Sequence, residues 1–401
     1  MPNLAPYFNC TMPTVFLKPK KDVPVRRYHP WIFSGAIARM EGEPADGGIV
    51  EVRSHSGEFL ATGHFQHGSI AVRIFSFEEI EPGPAFWKSK LQNAFDYRRS
   101  LGLTGNPATN CYRLVHAEGD GLPGLIVDVY GETAVVQCHS IGMHRSMSEI
   151  LPALVEVLGK TMVAVYGKSK ETLPANYAAT VQNGYLHGQS SPQPVLENGH
   201  SFFVDWESGQ KTGFFLDQRD NRQLLSKYAA GKSVLNAFCY SGGFSIYALK
   251  AGAASVHSAD FSQKAIEWTE KNVALNPAPG THEAFTEDVQ KFLKNCGEYE
   301  LMVVDPPAFA KNLKKRHNAV QGYKRLNATA LRKVAPGGML FTFSCSQVVD
   351  RALFYNTIVA AAIEAGRRVR VMHHLSQPAD HPVSLFHSEG AYLKGLALQV
   401  E

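Results

Sequence analysis

Hydrophobic positions fall into three textures along the chain. From about Thr14 to Ile80 they alternate with polar ones over short runs, Gly48 to Val52, Phe59 to Thr62 and Ile70 to Phe75, in a stretch broken by glycines. A period of two over so few residues predicts a small β-barrel-like module. The spacing then lengthens to a helical one over Pro84 to Ser100. Strands are predicted at Arg113 to Val115, Leu125 to Tyr130 and Ala134 to Cys138, and a helix near Met143 to Leu158. The proline-, serine- and glutamine-rich run Gly188 to Pro194 reads as a linker. Beyond Val195 strands and helices alternate. Strands at Ser233 to Phe238, Ser255 to Ala259, His282 to Phe285, Leu301 to Val304 and Met339 to Phe343 are each followed by a helix, at Phe244 to Ala251, Gln263 to Leu275, Val289 to Asn295, Tyr323 to Val334 and Leu353 to Ala365. Five such βα units require a parallel sheet with helices on both faces. Val369 to His373 and Tyr392 to Val400 follow without a long helix between them, which predicts a closing antiparallel hairpin. The fold class is therefore α/β: a C-terminal doubly wound sheet (193–401), an N-terminal β module (1–82) and a small central α+β domain (83–192).

Composition adds exclusions. With 401 residues, 44% hydrophobic and 19% charged, the chain is globular, neither disordered nor collagenous. The surplus of 40 Lys and Arg over 36 Asp and Glu is too small to signal nucleic-acid binding by itself, so local clustering decides. Six cysteines, at 10, 111, 138, 239, 296 and 345, show neither C-x-x-C pairs nor zinc spacing, which points to a reducing cytoplasm. Neither a membrane span nor a leader is read, so the Asn9-Cys10-Thr11 and Asn327-Ala328-Thr329 sequons carry no meaning. No repeat of solenoid length is found.

Two basic clusters stand out. Lys18, Lys20, Lys21, Arg26 and Arg27 precede Tyr28 and Trp31, a surface suited to phosphates and stacked bases, or else a solvated loop. Lys311, Lys314, Lys315 and Arg316, then Lys324 and Arg325, follow the fourth strand of the doubly wound sheet. Gly119-Asp120-Gly121-Leu122-Pro123-Gly124 matches the dinucleotide pattern, but Pro123 and a strand follow it, so it reads as a glycine-rich hairpin.

In doubly wound sheets ligands lie at the carboxyl ends of the strands, so those ends hold the candidate site. The first ends in Asn236-Ala237-Phe238-Cys239-Tyr240-Ser241-Gly242-Gly243, where paired glycines admit a ligand to the backbone. Its spacing is not that of a pyrophosphate cradle, which leaves room for S-adenosylmethionine. Asp260 ends the second strand, 18 residues beyond Gly242, where a carboxylate accepts ribose hydroxyls or caps a helix. Asp288, after the third, is either an adenine contact or a cap. The fourth ends Asp305-Pro306-Pro307-Ala308-Phe309, a sign of methyl transfer to a nucleobase. The fifth ends Ser344-Cys345-Ser346, placing a thiol at the same edge. Such a thiol needs a cationic neighbour or helix N-terminus to ionise, and the helix near Asp350 is one candidate. Cys239 competes for the role, but its place in the glycine loop directs it to cofactor.

These residues resemble the bacterial 23S rRNA cytosine-5 methyltransferases with an N-terminal PUA domain. The likeness spans His29-Pro30-Trp31-Ile32-Phe33-Ser34-Gly35, the segment Gly119 to Asp128, the segment Gln210 to Arg222, Asp305-Pro306-Pro307, Ser344-Cys345-Ser346 and Ala379-Asp380-His381-Pro382-Val383. The resemblance implies a PUA domain for RNA and a class I domain for S-adenosylmethionine. By position, Phe215, Gln218 and Arg219 would shape the cofactor site beside Asn236, Phe238, Ser241, Gly242, Asp260, Asp288 and Asp305, with Cys345 as nucleophile. Pro307 stands where two-cysteine relatives carry a second thiol. The implied substrate is an unstacked cytosine of 23S rRNA, and His381 is a weak candidate for the base that removes the C5 proton. Assembly into a homodimer stays open. So do two other functions: methylation of a guanine or adenine nitrogen, which needs no thiol, and a non-catalytic RNA-binding assembly factor.

Overall fold

The computed structural model describes residues 12–310 and 312–401. Cys10, the first sequon and Lys311 lie outside the described residues. The chain divides into two units interleaved in sequence. One gathers residues up to Ser100, Arg113–Ser190 and Pro382–Gly390, and the other Leu101–Tyr112, Ser191–His381 and Ala391–Glu401.

In the first unit the alternating segments form a six-stranded sheet. Its order is Trp31–Phe33, Ile70–Ser76, Phe59–Phe65, Ile49–Arg53, Thr14–Leu17, Ile37–Glu41. All pairs are antiparallel except Thr14–Leu17 with Ile49–Arg53. Val15, Leu17, Val50, Val52, Val72 and Ile74 fill its core. A second sheet runs Gly184–His187, Ala164–Gly167, Thr133–Cys138, Leu125–Tyr130, Cys111–His116.

The predicted helix over Met143 to Leu158 is two helices, Ile141–Arg145 and Met147–Leu158, divided at Ser146. Ser140 caps the first, its hydroxyl accepting from the Met143 N–H. At Gly119–Gly124 the chain makes a short 3-10 turn and enters the Leu125–Tyr130 strand, with Gly121 and Gly124 in the left-handed region. No helix opens there, as expected from Pro123. A Cβ at Gly119 would collide with the Pro382 carbonyl oxygen, so the Pro382–Gly390 segment is packed closely into this unit.

The second unit carries the alternating pattern. Its seven strands are ordered Thr281–Thr286, Ser255–Asp260, Ser233–Ala237, Tyr299–Val304, Val334–Ser344, Lys394–Val400, Val369–Ser376. The first five run parallel, and Lys394–Val400 is antiparallel to both its neighbours. The expected closing hairpin is present, but its second strand inserts beside Val334–Ser344. Leu301 to Val304 are fully buried, as an apolar run in a parallel sheet must be. Side-chain caps start three of the helices: Ser262 for Gln263–Leu275, Asp288 for Val289–Asn295 and Asp350 for Arg351–Ala365. The helix expected from Tyr323 begins earlier, at Arg316: Arg316, His317 and Asn318 face outward, and the small Ala319 is the first residue to meet the core. Chain order reverses between Ser233–Ala237 and Tyr299–Val304, which makes that pair of strand ends the switch point.

Candidate active site

Three adjacent strand ends converge at the switch point. After Ser233–Ala237 the chain turns through Phe238 and Tyr240, both at positive φ (63° and 48°), to Gly242 at 78°, which opens the Gly243–Lys250 helix. Non-glycine residues in that region are strained and persist only where their surroundings hold them. Here Asp260, ending the next strand, holds them: one carboxylate oxygen accepts from the Tyr240 N–H at 3.0 Å and the other from the Ser262 N–H at 2.9 Å. Each oxygen keeps a lone pair for a ligand. Gly242 is required for space as well as for its φ, since a Cβ would meet Thr269 Cγ2 at 2.7 Å. Asn236 and Ser241 are buried beneath this loop. Asn236 donates to Ser245, and the Ser241 carbonyl accepts from Asn272. The Phe215 ring meets Tyr240 edge-on at 5.0 Å.

On the other side of the switch point Asp305 leaves Val304 buried. One oxygen accepts from Gln218 Nε2 at 2.9 Å. Burial, and then the charge of Asp217, push its carboxyl up to about 7, while the Gln218 bond pulls it back. Cys345 follows the Val334–Ser344 strand and keeps partial exposure. Its thiol is pushed up to about 11, by burial first and then by Asp305 and Asp217. Against them stands Lys394, paired in register with Ser344. Its Nζ donates at 2.6 Å to the carbonyls of both Ser346 and Val349, holding the loop that carries the thiol. Burial lowers Lys394 to about 8. Beside them Tyr323 is fully buried, and burial pushes its hydroxyl up to about 12.

The remaining predicted residues stand elsewhere or do other work. Asp288 caps its helix, accepting from Lys291 N–H. Arg219 belongs to a buried ion cluster: it pairs with Asp380 at 2.9 Å and approaches Glu197 at 3.6 Å, while Arg222 grips Glu197 with two bonds of 2.8 and 2.7 Å. His381 adjoins Asp380 at 3.1 Å in the same cluster. Cys239 is sealed against Thr269, and burial raises its thiol to about 12.

Among the basic residues, Lys18 bonds the Gly35 carbonyl and Arg26 is compensated by Asp22 and Glu58. Lys20, Lys21, Arg27 and Tyr28 are exposed. Trp31 donates to Glu118 and packs on His387 at 4.2 Å. Lys314, Lys315 and Arg316 are exposed at the start of the Arg316–Lys333 helix, where the dipole disfavours cations.

Sequence reasoning missed Lys394, Asp217 and Phe261. Lys394 meets the thiol only through a strand insertion that no local pattern encodes. Asp217 sits inside the Gln210 to Arg222 segment and was passed over; its Oδ2 accepts from Tyr392 at 2.7 Å. Phe261 follows Asp260 and is 78% exposed, an aromatic left bare at a strand end.

Comparison with known proteins identifies the kind of site. A PUA-like domain model matches residues 15–77, and an S-adenosylmethionine-dependent methyltransferase model matches residues 158–393. Ribosomal RNA large subunit methyltransferase I of Vibrio parahaemolyticus is 40% identical over 400 residues, covering 96% of this chain and 99% of that protein. Its namesake in Aeromonas salmonicida is 39% identical over 398 residues, covering 96% and 98%. The chain belongs to the ribosomal RNA large subunit methyltransferase I family. A methyltransferase structure from Streptococcus mutans shares the fold of that family, with a TM-score of 0.82 at 22% identity over 96% of this chain and 99% of that one. A second, SMU.776 complexed with SAH, superposes with a TM-score of 0.83 at 22% identity over the same shares of each chain. Family membership makes the chain an S-adenosylmethionine-dependent methyltransferase with an N-terminal PUA-like β domain, as the sequence led one to expect. No described helix is long and apolar enough to cross a membrane.

Proposed function

We propose that this enzyme forms 5-methylcytosine in 23S rRNA, with Cys345 adding to the base. The observation that carries the reading is the pairing at adjacent strand ends of a partly exposed thiol, Cys345, with a partly exposed carboxyl, Asp305. The family's name supports the large-subunit RNA as substrate. The residues fit S-adenosylmethionine: Asp260 keeps lone pairs for the ribose hydroxyls, the Ser241-Gly242 turn admits the ligand to the backbone, and bare Phe261 offers the adenine a stacking face. When bound, that cofactor supplies an electrophilic methyl group for C5 and leaves as S-adenosylhomocysteine.

The chain's own residues do the rest. Cytosine C5 is a weak nucleophile until a sulfur adds at C6. The Cys345 thiolate forms the S–C6 bond, and the displaced electron pair spreads toward N3, where protonated Asp305 donates its proton. A carboxyl pushed up to about 7 is matched to that role, because near neutral pH it exchanges its proton readily. After methylation the C5 proton leaves to a base, the electron pair restores the C5–C6 double bond, the sulfur departs as thiolate and N3 returns its proton to Asp305. Lys394 holds the Ser346–Val349 loop and places a cation beside the thiol. A target base must leave its stack to reach such a pocket, which favours a loop or an unfolded rRNA segment. Lys314, Lys315 and Arg316, crowded at a helix N-terminus that disfavours them, suit rRNA phosphates.

The test is methyl transfer to unmodified 23S rRNA with nucleoside analysis, wild type beside Cys345→Ala. We expect 5-methylcytosine from the wild type and a loss of at least about a thousandfold in the variant, on the scale of losing an activated nucleophile. Retained transfer, or a methylated purine, would overturn the cysteine reading in favour of nitrogen methylation.

A further inference from the structure

The first unit contains a cluster that methyl transfer does not use. His29, His387 and Glu389 each offer a ligand atom, and these atoms lie within 4.8 Å of one another. We propose that His29, His387 and Glu389 form a zinc site that fastens the Pro382–Gly390 segment to the chain just ahead of the Trp31–Phe33 strand.

Four observations support this. First, tetrahedral zinc with bonds of about 2.05 Å sets its ligand atoms about 3.3 Å apart. His387 Nδ1 and a Glu389 carboxylate oxygen already stand 3.0 Å apart, and the exposed Glu389 side chain is free to adjust. Second, that Nδ1 is buried and makes no hydrogen bond, although the Glu389 carboxylate stands 3.0 Å away. Native proteins rarely leave such an atom unpaired, and a cation between ring and carboxylate would satisfy both. Third, His29 Nδ1 lies 3.1 Å from the Trp31 carbonyl. The Trp31 N–H also approaches that Nδ1, at 3.2 Å, so the Trp31 backbone fixes the ring in either tautomer, and a metal at Nε2 would select the one with the proton on Nδ1. Fourth, the Trp31 ring, 4.2 Å from His387, walls one side of the cluster. Structural zinc takes four ligands, so a water would complete the set.

Two imidazoles with one carboxylate suit a borderline first-row cation better than magnesium or calcium. The site would clip together segments about 350 residues apart in sequence. It goes beyond the methyl-transfer reading and stands or falls separately from it.

Full-length protein without a polyhistidine tag, stripped by chelator dialysis, is titrated with zinc against a chromophoric chelator. Cobalt(II) substitution reports the geometry. We expect one equivalent of zinc per chain, tetrahedral cobalt bands, and at least a tenfold loss of affinity in Glu389→Gln and in His29→Gln. Glu389 is exposed, so its variant keeps the fold, which circular dichroism verifies. No stoichiometric uptake by the wild type would overturn the site, as would affinity unchanged in both variants. Methyl transfer by the same preparations is measured in parallel, so failure of one assignment is distinguished from failure of the other.

Discussion

The methyltransferase unit buries two groups of charged residues and treats them in opposite ways. In the cluster of Glu197, Arg219, Arg222 and Asp380, every charge faces an opposite one. Burial would raise the Asp380 carboxyl, yet His381 and Arg219 outweigh it and hold the group well below its ordinary range. Tyr247 adds a hydroxyl bond to Glu197 at 3.0 Å. At the strand ends the balance is reversed. Asp305 and Asp217 carry like charge, a thiol stands beside them, and both Asp305 and Cys345 are pushed toward their neutral forms. The first arrangement is satisfied and serves the fold. The second is left unbalanced, which is what the proposed reaction would ask of it.

The strongest way to break this contrast is to unbalance the satisfied cluster. Glu197→Ala leaves Arg222 buried without its anion, while Arg219 keeps Asp380, and should destabilise the unit by about 3–5 kcal/mol, read from denaturant unfolding. A loss under about 1 kcal/mol would mean that the cluster is no tighter than a surface ion pair. The poised site should respond in the other direction. Asp305→Asn removes a negative charge next to Cys345, so the thiol's raised pKa falls and more thiolate exists at pH 8. Alkylation of Cys345 at that pH should speed up roughly tenfold, the effect of one pKa unit, while methyl transfer is lost. Slower alkylation would contradict the electrostatics. Lys394→Met takes away the cation and should slow alkylation about threefold, a smaller change because burial and the two carboxylates act more strongly on that thiol. The smallest effect is expected at the surface. Lys314→Glu with Lys315→Glu should flatten the salt dependence of RNA binding by about 0.7 per lost phosphate contact. An unchanged slope would return these lysines to ordinary surface.

What the sequence revealed follows the same division. Parallel strands were legible at Leu301 to Val304 and Met339 to Phe343 because burial on both faces demands continuous apolar runs. Their ends, Asp305 and Cys345, could therefore be placed at one edge without coordinates. The start of the Arg316–Lys333 helix was not legible, since Arg316, His317 and Asn318 face outward and the small Ala319 is the first residue to meet the core. Lys394 was hidden for a different reason: its role depends on strand order, with Lys394–Val400 slipping between Val334–Ser344 and Val369–Ser376. Pairing at a distance leaves no trace in a local pattern. Nor did anything mark Pro382–Gly390 as part of the first unit, because a loop's packing partner is not written in its periodicity.

That excursion of the chain bears on how the protein can be made. The first unit takes its last piece from residues 382–390, and the second takes one from 101–112. During synthesis, then, the amino-terminal unit lacks that last nine-residue piece until nearly the whole polypeptide has emerged. Neither unit corresponds to one continuous stretch of sequence. A fragment beginning at Ser191 would lack one piece of its own unit and carry a stray piece of the other.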